Sequence, residues 1–367
     1  MKTSKLLLAL FVGASLLSSQ VFAASGWTYR QIGNLGFAST TGTAVNASGR
    51  VAGYSATPGQ AAVHAFITGA NGVGITDLGV LSTATGAVSF SAGINKNGKV
   101  VGWSDVPHVN GSLYHGFVTG NNGVGLTDIG TLIPMPGGGY ARDSFAYAIN
   151  DAGRIVGMSS QLDVSYLAYI TNTSGTGMQS LGTLGGINSS ARAINASGRV
   201  TGNSNLAGDL LIHAFITGPN GVGMTDLGTI NGNDWSFGTA INASGQVVGD
   251  SYNTGGSGGV QAFITDANGA NMRDLGNLGG NTTYALGINA SGQVVGSSPL
   301  YVSAGKTAFI TGPNGVGMVD LNTLVTIPDG SLNEAVAIND KGQVVATGSN
   351  GNKTYLLTPP PHCLTGW

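Results

Sequence analysis

A ten-residue stretch, Ala240-Ile-Asn-Ala-Ser-Gly-Gln-Val-Val-Gly249, recurs with small changes along the whole chain, and that recurrence limits what the chain can become. Its turn asparagines are Asn46, Asn95, Asn150, Asn195, Asn242, Asn289 and Asn339, each followed three residues later by Gly, at steps of 45 to 55 residues. Two short apolar runs around Asn-x-x-Gly read as a β-hairpin. Asn offers a side-chain acceptor that starts a tight turn, and Gly accepts positive φ at its close. A period of this length marks an array of supersecondary units, each burying against its neighbours a face that it cannot bury alone.

Two more signatures follow the hairpins. Ala-Phe-Ile-Thr or a close variant stands at 64–68, 115–119, 167–171, 213–217, 261–265 and 307–311, with a worn copy at 354–358. Aromatic and β-branched residues closed by Gly-Pro-Asn-Gly read as a strand entering a turn. Asp-Leu-Gly or its like comes next, built on Asp77, Asp128, Asp226, Asp274 and Asp320. Four short strands per period is the dimension of a propeller blade. The last period lacks its Asp-Leu-Gly strand, while residues 29–36, ahead of the first hairpin, align with 272–279. The expected fold is therefore all-β: a seven-bladed β-propeller of four-stranded antiparallel blades over 24–358, closed by the N-terminal strand completing the last blade. A β-solenoid or paired β-sandwiches are the alternatives, but a solenoid has no reason for the permuted offset.

The ends carry other signals. Lys2 and Lys5 precede an apolar run from Leu6 to Leu17, and small residues up to Ala23 suit cleavage, so 1–23 reads as a secretory signal peptide of bacterial type. The run is too short to span a bilayer, so no membrane insertion is expected after cleavage. The expected location is secreted or extracellular, with the periplasm as the other compartment. Without the leader, 12 basic residues face 16 acidic ones, which is no footprint for nucleic acid. Charged residues make up 8% of the chain and Gly 63 of 367, yet 41% apolar residues in regular repeats argue against disorder. Cys363 is the only cysteine, so it is either a free thiol or a site of intermolecular disulfide pairing, in a Pro-rich tail at 359–367.

The His-Ala-Phe-Ile-Thr strand, with Asp-Leu-Gly-Thr-Leu-Gly and Ile-Asn-x-x-Gly-x-Val-Val-Gly, resembles the bacterial extracellular repeats of the HAF family, over about residues 27–358. The resemblance implies an exported protein, often from organisms that carry the PEP-CTERM sorting system, and brings no catalytic residues with it. The tail departs from sorted members, because no apolar helix and basic end follow its prolines.

Little of the chain has the pattern of a reaction centre. His64, His115 and His213 share one repeat position, whereas a catalytic triad is a single asymmetric constellation; set on the third strands of separate blades, they are not expected to converge as zinc ligands. The repeated aspartates of the outer strand are expected to bond turn backbone. No calcium loop or phosphate-binding loop is present, and no metal or cofactor is expected. A glycosidase would need two convergent carboxylates from Asp105, Asp143, Asp163, Asp209, Asp234, Asp250, Asp329 and Glu334, with Asp143 and Asp234 as the example pair. The connections from second to third strand, and from fourth strand to the next blade, vary in length and share one face. On it, Trp103, Asp105, Tyr140, Arg142, Asp143, Asp234, Trp235, Tyr252 and Tyr301 break the repeat, with His108, Tyr114 and Tyr284 beside them. Aromatic platforms beside carboxylates suit sugars and peptides. The expected function is a non-enzymatic binding or adhesion module for a glycan, matrix polymer or protein. The alternative is an extracellular hydrolase or lyase acting on polysaccharide, and a purely structural role in matrix or cell surface is the third reading.

Overall fold

The computed structural model describes residues 26–37, 39–60, 62–107, 113–132, 142–161, 165–255, 259–301, 305–328, 330–349 and 353–361. The leader, His108, Tyr140, Asp163, Asp329 and Cys363 lie outside the described residues.

Each repeat folds into four antiparallel strands laid side by side in chain order. The first sheet runs Thr40–Val45, Val51–Ala56, Val63–Ile67 and Thr76–Gly79. Sheets of the same order open with Ser89–Ile94, Ser144–Ile149 and Tyr284–Ile288. Gly185–Ile194 and Trp235–Ile241 open two further sets, which one parallel pair, Ile212 with Trp235, joins into an eight-stranded sheet. The last sheet is assembled from both ends of the chain. Leu332–Ile338, Val344–Gly348 and Thr354–Thr358 are followed in space by Thr28–Gln31, with Thr28 opposite Thr358 and Gln31 opposite Tyr355. The helical elements among the described residues are single 3₁₀ turns.

The repeated turn asparagine does two jobs. Asn46 Oδ1 accepts from the N–H groups of Ser48 and Arg50 at 3.0 and 3.1 Å, the expected turn bond, and Gly49 closes the turn at φ 72°. Its Nδ2 also donates to the carbonyl of Asn95 in the next sheet, 3.0 Å away. Asn95 reaches Asn150, Asn150 reaches Asn195, Asn195 reaches Asn242, Asn242 reaches Asn289 and Asn289 reaches Asn339. Asn339 then donates to the carbonyl of Asn46 at 2.9 Å, so the relay returns to its start. Buried amides that would otherwise be costly are thereby satisfied between sheets.

Sheet faces are buried on both sides, which explains the consecutive apolar residues of Val-Val-Gly. Phe66, Phe117, Tyr169, Phe215, Phe263, Phe309 and Tyr355 are wholly buried. Phe117 packs with Ala52, Ala65, Ile67 and Leu78 of the preceding sheet, and Phe66 packs with Val345 and Leu356 of the last one. Polar ties run alongside. Ser89 Oγ accepts from Ala65 N–H and donates to the Gly79 carbonyl; Ser144, Ser189 and Ser236 occupy the same place.

Candidate functional site

The first strand of every unit contains a β-bulge. The residue skipped by the pairing register is Thr43, Ala92, Tyr147, Arg192, Thr239, Leu286 or Val336. A bulge bends the strand and re-aims the extra side chain. The Gly of Val-Val-Gly lies opposite the residue before the bulge. A Cβ there would collide with the carbonyl oxygen of Thr41, Phe90, Phe145, Ser190, Phe237 or Tyr284, so the close approach demands Gly53, Gly102, Gly157, Gly202, Gly249 and Gly296.

These strands surround a cavity of 630 Å³ lined by side chains from six of the repeat units. Its wall includes Thr41, Thr43, Tyr147, Arg192, Asn203, Phe237, Thr239, Asp250, Tyr252, Tyr284, Glu334 and Val336. Most of the first-strand residues stand three or five positions ahead of the turn asparagine of their unit, on the alternating row that faces one way along a strand. The scaffold repeats, and these positions do not: the row five ahead reads Thr41, Phe90, Phe145, Ser190, Phe237, Tyr284 and Glu334.

Charge is distributed unevenly around the wall. The Arg192 guanidinium stands over the Tyr147 ring, 4.5 Å from its centroid, and among the described residues it has no carboxylate within salt-bridge distance. Glu334 is held by Lys306 at 2.7 Å, and the same ammonium lies 5.4 Å from the centroid of Tyr284. Asp250 accepts the Ala285 N–H at 3.0 Å. Burial pushes its carboxyl up to about 7, against the lowering influence of that N–H and of Lys306. The amide oxygen of Asn203 and the hydroxyl of its register partner Ser190 are buried without a partner.

The residues singled out from sequence fall into two groups. Trp103 stacks on Phe90 at 5.7 Å and meets Phe145 and Tyr147 edge-on, so it belongs to an aromatic arc that reaches the cavity at Tyr147. Asp105 accepts from Val88 N–H and Asp143 from Tyr114 N–H. Burial, then these two carboxylates, raises the Tyr114 phenol, and Tyr166 is raised by burial and Asp143. Arg142 is buried. In the second group, Tyr252 lines the cavity, stacked on Phe237 at 5.8 Å with Trp235 edge-on at 5.6 Å. Asp234 is held by the hydroxyl and N–H of Thr254, which lower its carboxyl. Tyr301 is exposed. Asp143 and Asp234 bond to different partners, and neither lines the cavity. Residues not singled out as binding candidates from sequence are Tyr147, Arg192, Phe237 and Glu334. Their signal was divergence inside an otherwise constant hairpin arm.

The repeated histidines form pairs. His64, His115 and His213 place Nδ1 2.8–2.9 Å from Asp77, Asp128 and Asp226, whose other bond is to the N–H of Gly79, Gly130 or Gly228. Gln261 makes the equivalent bond to Asp274 at 3.0 Å. Among the described residues no group of three His, Cys, Asp or Glu could hold a metal, and no helix is long and apolar enough to cross a membrane.

No family model matches the chain, and no curated protein matches it. Solved structures do. YCF48, in a structure described as bound to D1 peptide, is 11% identical with a TM-score of 0.52, over 90% of this chain and 95% of its own. The β-propeller domain of the Trilobed protease from Pyrococcus furiosus, described as having an open velcro topology, is 10% identical with a TM-score of 0.50, over 79% and 85%. TolB from Acinetobacter baumannii is 11% identical with a TM-score of 0.47; the match spans 85% of this chain and 64% of that structure's length. At such identities the likeness is one of fold, and the fold is that of a β-propeller.

Proposed function

We propose that the protein is an exported binding module of the HAF repeat type: a closed seven-bladed propeller that takes a glycan, matrix polymer or protein group into the cavity between its first strands. Export is supported by the leader-like segment at 1–23. Closure is supported by the asparagine relay that ends where it began and by the pairing of Thr28–Gln31 with Thr354–Thr358. The observation that carries the binding reading is the divergence at the bulged strands. Units that agree in turns, core aromatics and inter-sheet ties differ at the side chains lining one cavity, as binding residues on a rigid scaffold do. Phe237→Ala and Tyr252→Ala should each abolish most retention of the ligand found by glycan-array or pull-down screening of the secreted protein. Retention unchanged in both variants removes the cavity as the binding site.

One observation favours the enzymatic alternative. Asp250, held protonated toward neutral pH, and Glu334 share the cavity, and a raised acid beside a carboxylate is the composition that glycoside hydrolysis uses. Release of reducing ends from bound polysaccharide by the wild type, and its loss in Asp250→Asn with Glu334→Gln, would establish that reading. Absence of turnover over prolonged incubation would dismiss it.

A further inference from the structure

Most charges of the cavity cancel. Glu334 is neutralised by Lys306 at 2.7 Å, which leaves Asp250 and Arg192. Asp250 keeps its proton toward neutral pH, so near pH 6 the uncompensated charge is that of Arg192. Its guanidinium is not free to wander, because it rests on the Tyr147 ring at 4.5 Å. A planar cation that is pre-oriented, has no carboxylate of its own and lies within aromatic walls is built to receive a carboxylate in a two-pronged bond. The rest of the wall mixes donors and acceptors. Protonated Asp250 has an O–H to give, and the Thr43 and Thr239 hydroxyls, which donate to backbone carbonyls, keep lone pairs to accept. Phe237 and Tyr252, stacked at 12° between planes, add a flat apolar surface.

Resting on the binding reading above, we infer that the cavity receives a sugar acid, a uronate-type residue whose carboxylate pairs with Arg192, whose hydroxyls accept from Asp250 and donate to Thr43 and Thr239, and whose C–H face lies on Phe237 and Tyr252. A peptide C-terminus offers the same carboxylate but lacks the ring of hydroxyls that both donate and accept, and a neutral sugar leaves Arg192 without a counter-charge. The cavity size is within the range that holds a small ligand of this kind.

The test uses the full secreted chain on an array carrying uronate-terminated glycans, their neutral methyl esters and peptides with free C-termini, followed by titration calorimetry. The wild type should bind uronates at least about tenfold more tightly than the esters. Arg192→Met keeps an unbranched stem over Tyr147 and should bring the ratio to within about twofold, with an unchanged melting temperature, because Arg192 is exposed. Phe237→Ala should weaken acid and ester alike. Equal binding of acid and ester, or a preference that survives Arg192→Met, overturns the inference while leaving the binding module intact. Capture of C-terminal peptides without uronates, lost in Arg192→Met, overturns the sugar assignment. Retention of no probe at all overturns the inference, and the binding reading then falls separately only if no other screened ligand depends on Phe237.

Discussion

At position 250 the chain places a carboxyl where the neighbouring units have Tyr54, Trp103, Met158, Asn203, Ser297 and Thr347. That choice makes stability depend on pH. With the folded value raised from 3.8 to about 7, the folded state keeps a proton that the unfolded chain loses. Stability therefore falls as pH rises from about 4 to about 7 and levels off above, by up to about 4 kcal/mol for this one group. The charged or titratable groups facing it are Lys306, Glu334, Tyr252 and Tyr284. Asp250→Asn preserves an oxygen for the Ala285 N–H and removes the titration. The variant should melt higher than the wild type at pH 8 and close to it at pH 4; parallel profiles would refute the assignment. The rim pairs behave differently. Asp226 is 39% exposed and Gln261 already replaces histidine in one unit, so His213→Gln should change stability by no more than about 0.5 kcal/mol in urea titration.

Each element is specified by local rules that repeat. Turn asparagine, left-handed glycine and third-strand aromatic are all visible in the chain, and they place nearly every strand. Phe263 is wholly buried between Ile241 and Val247 of its own unit and Ala214 and Ile216 of the preceding one. Phe263→Ala should cost about 3–5 kcal/mol. Phe263→Tyr should cost far less, since Tyr169 occupies the same place and gives its hydroxyl to the Phe145 carbonyl at 3.1 Å. Denaturant midpoints that rank the two variants equally would contradict this account of the core. The cavity was less legible for a physical reason. The glycine that a bulge demands stands on the facing strand, where Val-Val-Gly reads as an ordinary strand end, so Tyr147 and Arg192 read as ordinary members of a hairpin arm. The second job of Asn46, its bond to the next sheet, was equally hidden, because the turn already accounts for the residue.

For the whole molecule, the two ends of the chain hold the proposed ring together. Thr354–Thr358 is almost wholly buried and has Thr28–Gln31 as its outer neighbour; without that neighbour it would expose an unpaired row of N–H and C=O groups. Deleting residues 26–33 should therefore lower the melting temperature and produce concentration-dependent oligomers through the bared edge. Loss of mass alone could also destabilise, so a permuted chain separates the two causes. Gly26 lies against Pro360, close enough for a short linker to join the ends. A permutant opened between Gly36 and Thr40, with Thr28–Gln31 following Thr354–Thr358 in sequence, would carry all four strands of the last sheet in chain order, as the other units do. It should melt near the wild type and stay monomeric at concentrations where the deletion associates. If the permutant fails to fold, or the deletion melts like the wild type, the strand from the amino end is not what completes the last sheet, and the proposed ring must be closed by other means.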